Sequence, residues 1–392
     1  MTLSDSYAKT IRSIFTDGGA LLFCIVVPII YPILYTIIYN AETVHEVPVA
    51  VVDDSRSSLS RDYLRRLDAT PDVKVVSICA EMNEAQAMVQ HRDCYGIVRI
   101  PSDFHKQLST GGQAHVQSYC DMSGLLYYKA ILIANTEVSL AMNAEIKVAQ
   151  TAANPVALSS GIAGGTEEQK AVMQHPVQYE YVNLYNPQTG FATFLIPAVL
   201  ILALQQTMVL GIGLLSGTRR GRDEKVKREG NTPAQLAGVA LAFLTVYIPI
   251  SVYEVGLVPR MFNLPQLGNP WEIAFMMVPF LLAVFNFGLC FGSISRKREN
   301  IILIAVFTTI PMLFMSGVSW PGSALPSFWK YLGYFFPSTF GINAFIKLNN
   351  MGAHFSSIQF EYVALWVQCL VYALLAWGVT KLVHKSKKTP HE

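Results

Sequence analysis

Six long apolar runs dominate the chain and limit what it can fold into. They fall at 18–40, 190–216, 236–259, 271–293, 301–320 and 361–384. Each is close to the ~20 residues that a helix needs to cross a bilayer core. A bilayer offers the backbone no water, so such segments satisfy their own N–H and C=O groups as helices. Composition agrees: 14% of residues are charged, where a soluble domain carries about 25%. The first run is too long for a signal peptide core and no small-x-small cleavage site follows it, so it reads as a retained helix.

Charge placement orients the chain. Lys9 and Arg12 precede the first run; Arg219, Arg220, Arg222, Lys225, Lys227 and Arg228 follow the second. Arg296, Lys297 and Arg298 follow the fourth, and Lys381, Lys385, Lys387 and Lys388 close the chain. With six spans these clusters share one side, which the positive-inside rule makes cytoplasmic. Both termini are then inside, and 41–189 lies outside. Tyr7, Ile11, Ile14 and Phe15 share one helical face, which predicts an amphipathic helix over 1–17 in the inner interface.

The external segment has a different rhythm. Strand-like stretches at 47–53, 73–77, 95–100 and 115–120 alternate with helical spacing at 58–67, 82–90 and 102–108. That alternation predicts a small α/β layer domain. An Ala-rich stretch at 125–150 without Gly or Pro predicts one long helix, and 151–165 reads as a linker. Asp53, Asp54 and Ser55 follow a strand end. We read them as a turn and helix cap, with Asp54 or Ser55 meeting free N–H groups; a ligand site at the strand end is the alternative. His91, His105 and His115 are scattered, and no Cys/His spacing suggests a metal. Cys79, Cys94 and Cys120 lie in this polar region, where one disulfide among them is open.

Polar residues inside the runs are candidates for a path. Apart from Glu272 and Glu361 at the very ends of their runs, Glu254 is the one acid within a span, and intramembrane acids are functional candidates. Its place, roughly 28 Å along the third helix at 1.5 Å per residue, favours the outer headgroups over a proton relay. Gln205, Gln206 and Asn286 read as interhelical hydrogen-bonding groups or path-lining groups. Pro28, Pro32, Pro197, Pro249, Pro279 and Pro311 predict kinks. No GxxxxGK[ST] occurs, so no P-loop is present to bind ATP. The near-absence of buried acids argues against an ion-coupled carrier and favours energy from a partner.

The segment 315–337, MSGVSWPGSALPSFWKYLGYFFP, is too broken to span and too aromatic to be a solvated loop. It sits where the fifth run reaches the outer face, and Trp and Tyr favour that interface. It predicts one or two short re-entrant helices broken at Pro321 and Pro326, capping the outer end of a path as a gate or lid. An interfacial anchor is the alternative. Its pattern, Ser316-Gly317, Pro321, Pro326, Trp329 and Pro337, resembles the late segment of ABC-2 type permeases. VPVAVVDDSRSSLSRDYLRRLDATP and IPSDFHKQLSTGGQAHVQSYCD resemble the bacterial exporter branch with a large domain between the first two spans.

The resemblance implies an α-helical polytopic membrane protein with six transmembrane helices, short re-entrant outer helices and an extracytoplasmic α/β domain at 41–189. It implies a cytoplasmic loop, 217–235, that couples to an ATPase, with Arg222, Glu224, Arg228, Glu229, Gly230 and Thr232 assigned by location. An outer segment at 321–360 and a cytoplasmic tail at 385–392 complete the layout. The implied partners are a cytoplasmic ABC ATPase, a second permease half (a copy or a paralogue), and a periplasmic adaptor with an outer-membrane channel. The implied place is the bacterial inner membrane, and the implied cargo is a drug, xenobiotic or other amphiphile. The chain itself is expected to hold no cofactor, no metal and no catalytic residue, and to bind no nucleic acid. The competing reading is a membrane-anchored receptor or adhesion protein with an external ligand-binding domain.

Overall fold

In the computed structural model, residues 2–39, 44–109, 113–121, 125–152, 185–186, 190–222, 233–294, 298–320, 322 and 324–385 are described. The chain divides into a helical unit, 1–42 with 183–392, and a second unit, 43–182.

The helical unit opens with α1 (Leu3–Thr16), started by a Thr2–Asp5 capping box. Thr2 accepts from the Asp5 N–H while the Asp5 carboxylate accepts from the Thr2 N–H, which satisfies two end donors reciprocally. α1 buries Ser6, Thr10 and Ile14, while Phe15 stays exposed. Of the apolar face read from spacing, only Ile14 therefore enters the core. The face that packs is the small-residue one. It lies so close to the third long helix that a Cβ on Gly238 would sit 2.5 Å from the Leu3 carbonyl oxygen. α2 (Gly18–Tyr39) follows and contains a π-helical turn over Leu22–Val26.

The second unit carries β1 (Val47–Asp53), α3 (Ser58–Asp68), β2 (Val73–Cys79), α4 (Met82–His91), β3 (Gly96–Ile100), α5 (Phe104–Ser109), β4 (Gln117–Cys120) and α6 (Leu125–Ala152). The sheet order is β2-β1-β3-β4, with β1 parallel to β2 and β3, and β3 antiparallel to β4. β1 lies inside the sheet and its Val47, Val49, Ala50, Val51 and Val52 are buried on both faces, which explains its unbroken apolar sequence. On one face Val49, Val51, Tyr63, Leu67 and Ile131 form the main core; Ala50, Val52, Cys79, Ala85 and Cys94 fill a smaller one.

The helical unit resumes with α7 (Phe191–Arg222), α8 (Pro233–Met261), α9 (Pro270–Ile294), α10 (Arg298–Met315), α11 (Ser327–Gly333), α12 (Pro337–Phe345) and α13 (Gln359–Lys385). α8 holds a second π-helical stretch, Val252–Leu257, shortly after Pro249. A third, Ile346–Asn350, continues α12. Five helices among the described residues are long and apolar enough to cross a membrane: α2, α7, α8, α9 and α13. α10 is shorter, the helix ending at Met315 rather than at 320. Gly317 takes a left-handed φ of +85°, a conformation costly to other residues, and the backbone turns there.

α7 is the centre of this unit. Every residue from 195 to 215 is buried, as expected of a helix that is apolar all round. It packs against α2, α9, α10 and α12. Glycines permit the approach: a Cβ on Gly211 would lie 2.0 Å from Cys24 Sγ of α2.

Candidate functional site

The geometry centres on α12, a short helix gripped by the long ones. Phe336 stands at its N-cap without a capping side chain, and Pro337 at the first turn has no N–H. The Ser338 N–H would therefore be an orphan donor in a buried place. Gln205, fully buried at mid-α7, meets it: its Oε1 accepts from the Ser338 N–H at 2.6 Å. The Gln205 amide nitrogen points to Met312 Sδ of α10 at 3.4 Å, and the Gln206 amide nitrogen reaches the same sulfur at 3.2 Å. The two glutamines thus join α7 to α10, and Gln205 also joins it to α12.

The turn between α11 and α12 is held from the other side. Gln368 of α13 donates to the Tyr334 carbonyl at 2.8 Å, and the Tyr372 hydroxyl donates to the Phe335 carbonyl. Asn343 of α12 donates to the Ser316 carbonyl at the end of α10, at 3.1 Å. Thr339 donates its hydroxyl to the Gly333 carbonyl at 2.7 Å. Further along, Lys347 pairs with the buried Glu361 of α13 at 2.6 Å, and Asn350 donates to the Thr193 carbonyl of α7 at 3.2 Å. Seating is also steric: a Cβ on Gly341 would meet the Phe280 ring of α9 at 2.5 Å.

The residues of the broken aromatic segment now have places. Ser316 is buried at the end of α10, Gly317 makes the left-handed turn, Pro326 precedes α11 as its N-cap, and Pro337 opens α12. Pro321 lies outside the described residues. The described break between the two short helices is the Tyr334–Phe336 turn ahead of Pro337, not Pro326, which starts the first of them. Trp329, with Phe328 and Tyr331, stands exposed on α11, and Trp320 is exposed before it.

Asn286 of α9 donates to the Cys369 carbonyl of α13 at 3.3 Å, an interhelical bond like those of the two glutamines. Glu254 is enclosed: it is 0% exposed on the π-helical stretch of α8. Among the described residues neither carboxylate oxygen has a hydrogen-bond partner. In the expected coupling loop, α7 runs on to Arg222 and α8 begins at Pro233, so both helices extend into 217–235. The Arg222 side chain, and Glu224, Arg228, Glu229, Gly230 and Thr232, lie outside what is described.

In the second unit Asp53 accepts from the N–H groups of Ser55 and Arg56 at 3.1 and 3.0 Å, and from the Ser60 hydroxyl at 2.7 Å. The N-cap of α3 is Ser57, in a capping box with Ser60. Asp54 is instead bound to Arg99 at 2.9 Å. The strand-end acids therefore build a turn, but the capping residue is not Asp54 or Ser55. All three cysteines of this unit are free thiols. Burial pushes the Cys94 thiol above its ordinary range.

Spacing did not single out Gln368, Tyr372, Asn343, Lys347 or Glu361. Gln368 and Tyr372 carry the same signal as Gln205, a hydrogen-bonding group inside an apolar run.

Comparison with known proteins agrees with this architecture. The ABC-2 family transporter protein pattern matches residues 19–377. The linearmycin resistance permease protein LnrN of Bacillus subtilis (strain 168) is 23% identical over 329 residues, 80% of this chain and 82% of that protein. ABC transporter G family member 20 of Dictyostelium discoideum is 23% identical over 220 residues, 54% of this chain. The chain covers 30% of the length of that Dictyostelium protein. This chain is a multi-pass membrane protein and belongs to the ABC-2 transporter family.

Proposed function

We propose that this chain is the permease subunit of an ABC exporter, moving an amphiphilic substrate across the bacterial inner membrane while a separate cytoplasmic ATPase supplies the work. The observation that carries the reading is the family match over 19–377, which takes in both the helical unit and the inserted α/β unit. The absence of a P-loop from the sequence assigns ATP binding to a partner. A drug or xenobiotic cargo is suggested by the resistance role in the name of the Bacillus relative.

The finer layout belongs to the same proposal. α10 is the sixth crossing despite its length, both termini are cytoplasmic, and 41–189 faces the periplasm, where an adaptor leading to an outer-membrane channel would dock. The 217–235 loop couples to the ATPase. A second permease half completes the path. α11 and α12 form the outer gate: a pair of short helices held at one turn by α7, α10 and α13 has discrete contacts to break. Glu254, Gln205, Gln206 and Asn286 lie along the helices that would line the path.

Copurification of the full chain with its genomic ATPase, followed by reconstitution and vectorial transport of candidate compounds, tests the reading. Recovery without any nucleotide-binding subunit would sink it. Accessibility of Trp320 and Trp329 to a soluble quencher, with and without ATP turnover, tests the gate; unchanged accessibility favours an interfacial anchor.

A further inference from the structure

One acid on α8 is left without a hydrogen-bond partner among the described residues, in the middle of packed protein. Both oxygens of Glu254 are fully enclosed and have no hydrogen-bond partner among the described residues; the Tyr247 hydroxyl, equally enclosed, lies beside Cys24 of α2 and Thr207 of α7. Tyr247, Ser251 and Glu254 are spaced i, i+4 and i+7, and all three are buried, so they share the helix face turned inward. The π-helical stretch that carries Glu254 packs against α2 and α7, and the part of α8 before it packs also against α1 and α9.

Among the described residues no cation pairs with the acid: Lys9 and Arg12 of α1 are exposed, and α9 carries no Lys or Arg. α7 has no ionisable side chain between 191 and 216, and α2 has only Cys24, Tyr31, Tyr35 and Tyr39. Asp17, before α2, accepts from the N–H groups of Gly19 and Ala20. On α8 itself the nearest cation is Arg260, which is exposed and donates to Gln266 Oε1 at 3.1 Å. Tyr253, next to Glu254, donates its hydroxyl to the Ile29 carbonyl of α2 at 2.8 Å. An isolated ionised carboxylate in such a place costs far more than a neutral acid.

The backbone around the acid is also unusual. Glu254 sits in the π-helical stretch Val252–Leu257, a form that is rare and concentrates at functional sites. The carbonyl of Val255 in this stretch is met at 2.9 Å by the side-chain amide of Gln266, from the connection beyond α8. A helix that carries an extra residue in one turn can return to regular winding, and doing so rotates everything on one side of it. The acid is thus mounted on the part of α8 that can turn.

We propose that Glu254 is a proton-binding site of the helical unit, holding a proton as the neutral acid while α2, α7 and α8 are packed as seen and releasing it to water when the π-helical stretch rewinds. The O–H bond of the acid breaks, the electron pair stays on the carboxylate, and water accepts the proton; closure reverses the step. Tyr247, two turns away on the same face, is the hydroxyl positioned to take part in the hydrogen-bonded path once water enters.

Infrared spectroscopy of the full-length protein in nanodiscs reads the acid directly. A neutral carboxylic C=O band should be present in the wild type and missing from Glu254→Gln, which keeps the side-chain shape. In D2O that band should shift slowly at rest and at least tenfold faster when the protein, joined to its ATPase, turns over ATP. Labelling of the wild type with dicyclohexylcarbodiimide, which adds to protonated carboxyls, needs no variant. Mass spectrometry should find the adduct on Glu254 during turnover. A wild-type spectrum identical to that of Glu254→Gln overturns the proposal, as does an exchange rate indifferent to turnover or an unlabelled Glu254 in the working complex. The band at rest is read without any ATPase, so its absence counts against this site alone and leaves the exporter reading standing.

Discussion

Gln205 Oε1 accepts the Ser338 N–H at 2.6 Å, across 133 positions of sequence. It is the contact by which the central helix α7 closes the open end of α12. The same side chain turns its amide nitrogen to Met312 of α10. One residue therefore links three helices, and the segment it anchors is the one whose aromatic, proline-broken sequence had no place in a simple span.

Replacing Gln205 by Leu keeps the volume and removes the acceptor. A buried donor left unsatisfied costs about 1–3 kcal/mol. Amide exchange across 338–345 should then rise roughly 5- to 150-fold relative to wild type. Hydrogen exchange with mass spectrometry on the reconstituted protein measures it, and unchanged protection would remove Gln205 from the anchoring role.

Gly211 and Cys24 make a steric pair, since a Cβ at 211 would fall 2.0 Å from the Cys24 sulfur. Gly211→Ala should destabilise the helical unit by about 1–3 kcal/mol, the usual range for overpacking. Adding Cys24→Ala removes the sulfur and should restore most of that loss. A thermal-shift double-mutant cycle in nanodiscs checks it; strictly additive effects would deny the contact.

Lys347 and Glu361 hold the far end of α12 to α13 at 2.6 Å. Lys347→Met leaves a buried carboxylate alone, whereas the double substitution Lys347→Met with Glu361→Gln does not. The acid of this pair is buried and the lysine is partly exposed, and stranding a buried charge is worse than replacing both partners. The single variant should therefore have the lower melting temperature and the double one should recover; the reverse order would contradict the pairing.

In the α/β unit, Arg66 binds Glu145 of α6 through two nitrogens at 2.8 and 2.7 Å and Asp62 through Nε at 2.9 Å. The Arg65 hydrogen bond is the main cause holding Asp62 below the usual carboxylate range, and the Arg66 hydrogen bonds do the same for Glu145. Depressed values mean that the stabilisation is fully present above the ordinary carboxylate range and is lost as pH falls through the lowered values. Exchange protection of α3 and α6 in the full protein should stay level from neutral pH down to about pH 5 and then fall, as unshifted carboxylates near 4 begin to bind protons. Arg66→Met should flatten that dependence; an unaltered profile would assign the acid sensitivity elsewhere.

Much of the architecture was legible because it follows from period and length. Alternating strand and helix signals between 47 and 150 correspond to β1 through α6 within a few residues, since a two-residue pleat and a 3.6-residue turn leave different marks on apolar spacing. The long apolar runs correspond to helices for the reason that an apolar run of that length has one way to satisfy its backbone. The end of α10 was not legible: hydropathy continues to 320, but the left-handed turn at Gly317 stops the helix at Met315. Nor was the packing face of α1, where close approach to Gly238 outweighed the apolar stripe.

The candidate site divides the same way. Residue type alone marked Gln205, Gln206, Asn286 and Glu254, because a polar group in an apolar run needs an explanation wherever it lands. Which partner each one meets is a matter of tertiary contact. Gln205 finds the Ser338 N–H and Asn286 finds the Cys369 carbonyl, while Glu254 finds no hydrogen-bond partner among the described residues. Sequence by itself determined the helices, the inserted α/β unit and the polar residues that break the apolar pattern. Only tertiary structure decided which of those residues are bound and which are left alone, because a hydrogen bond between positions 133 apart depends on how helices pack, and no local period records that.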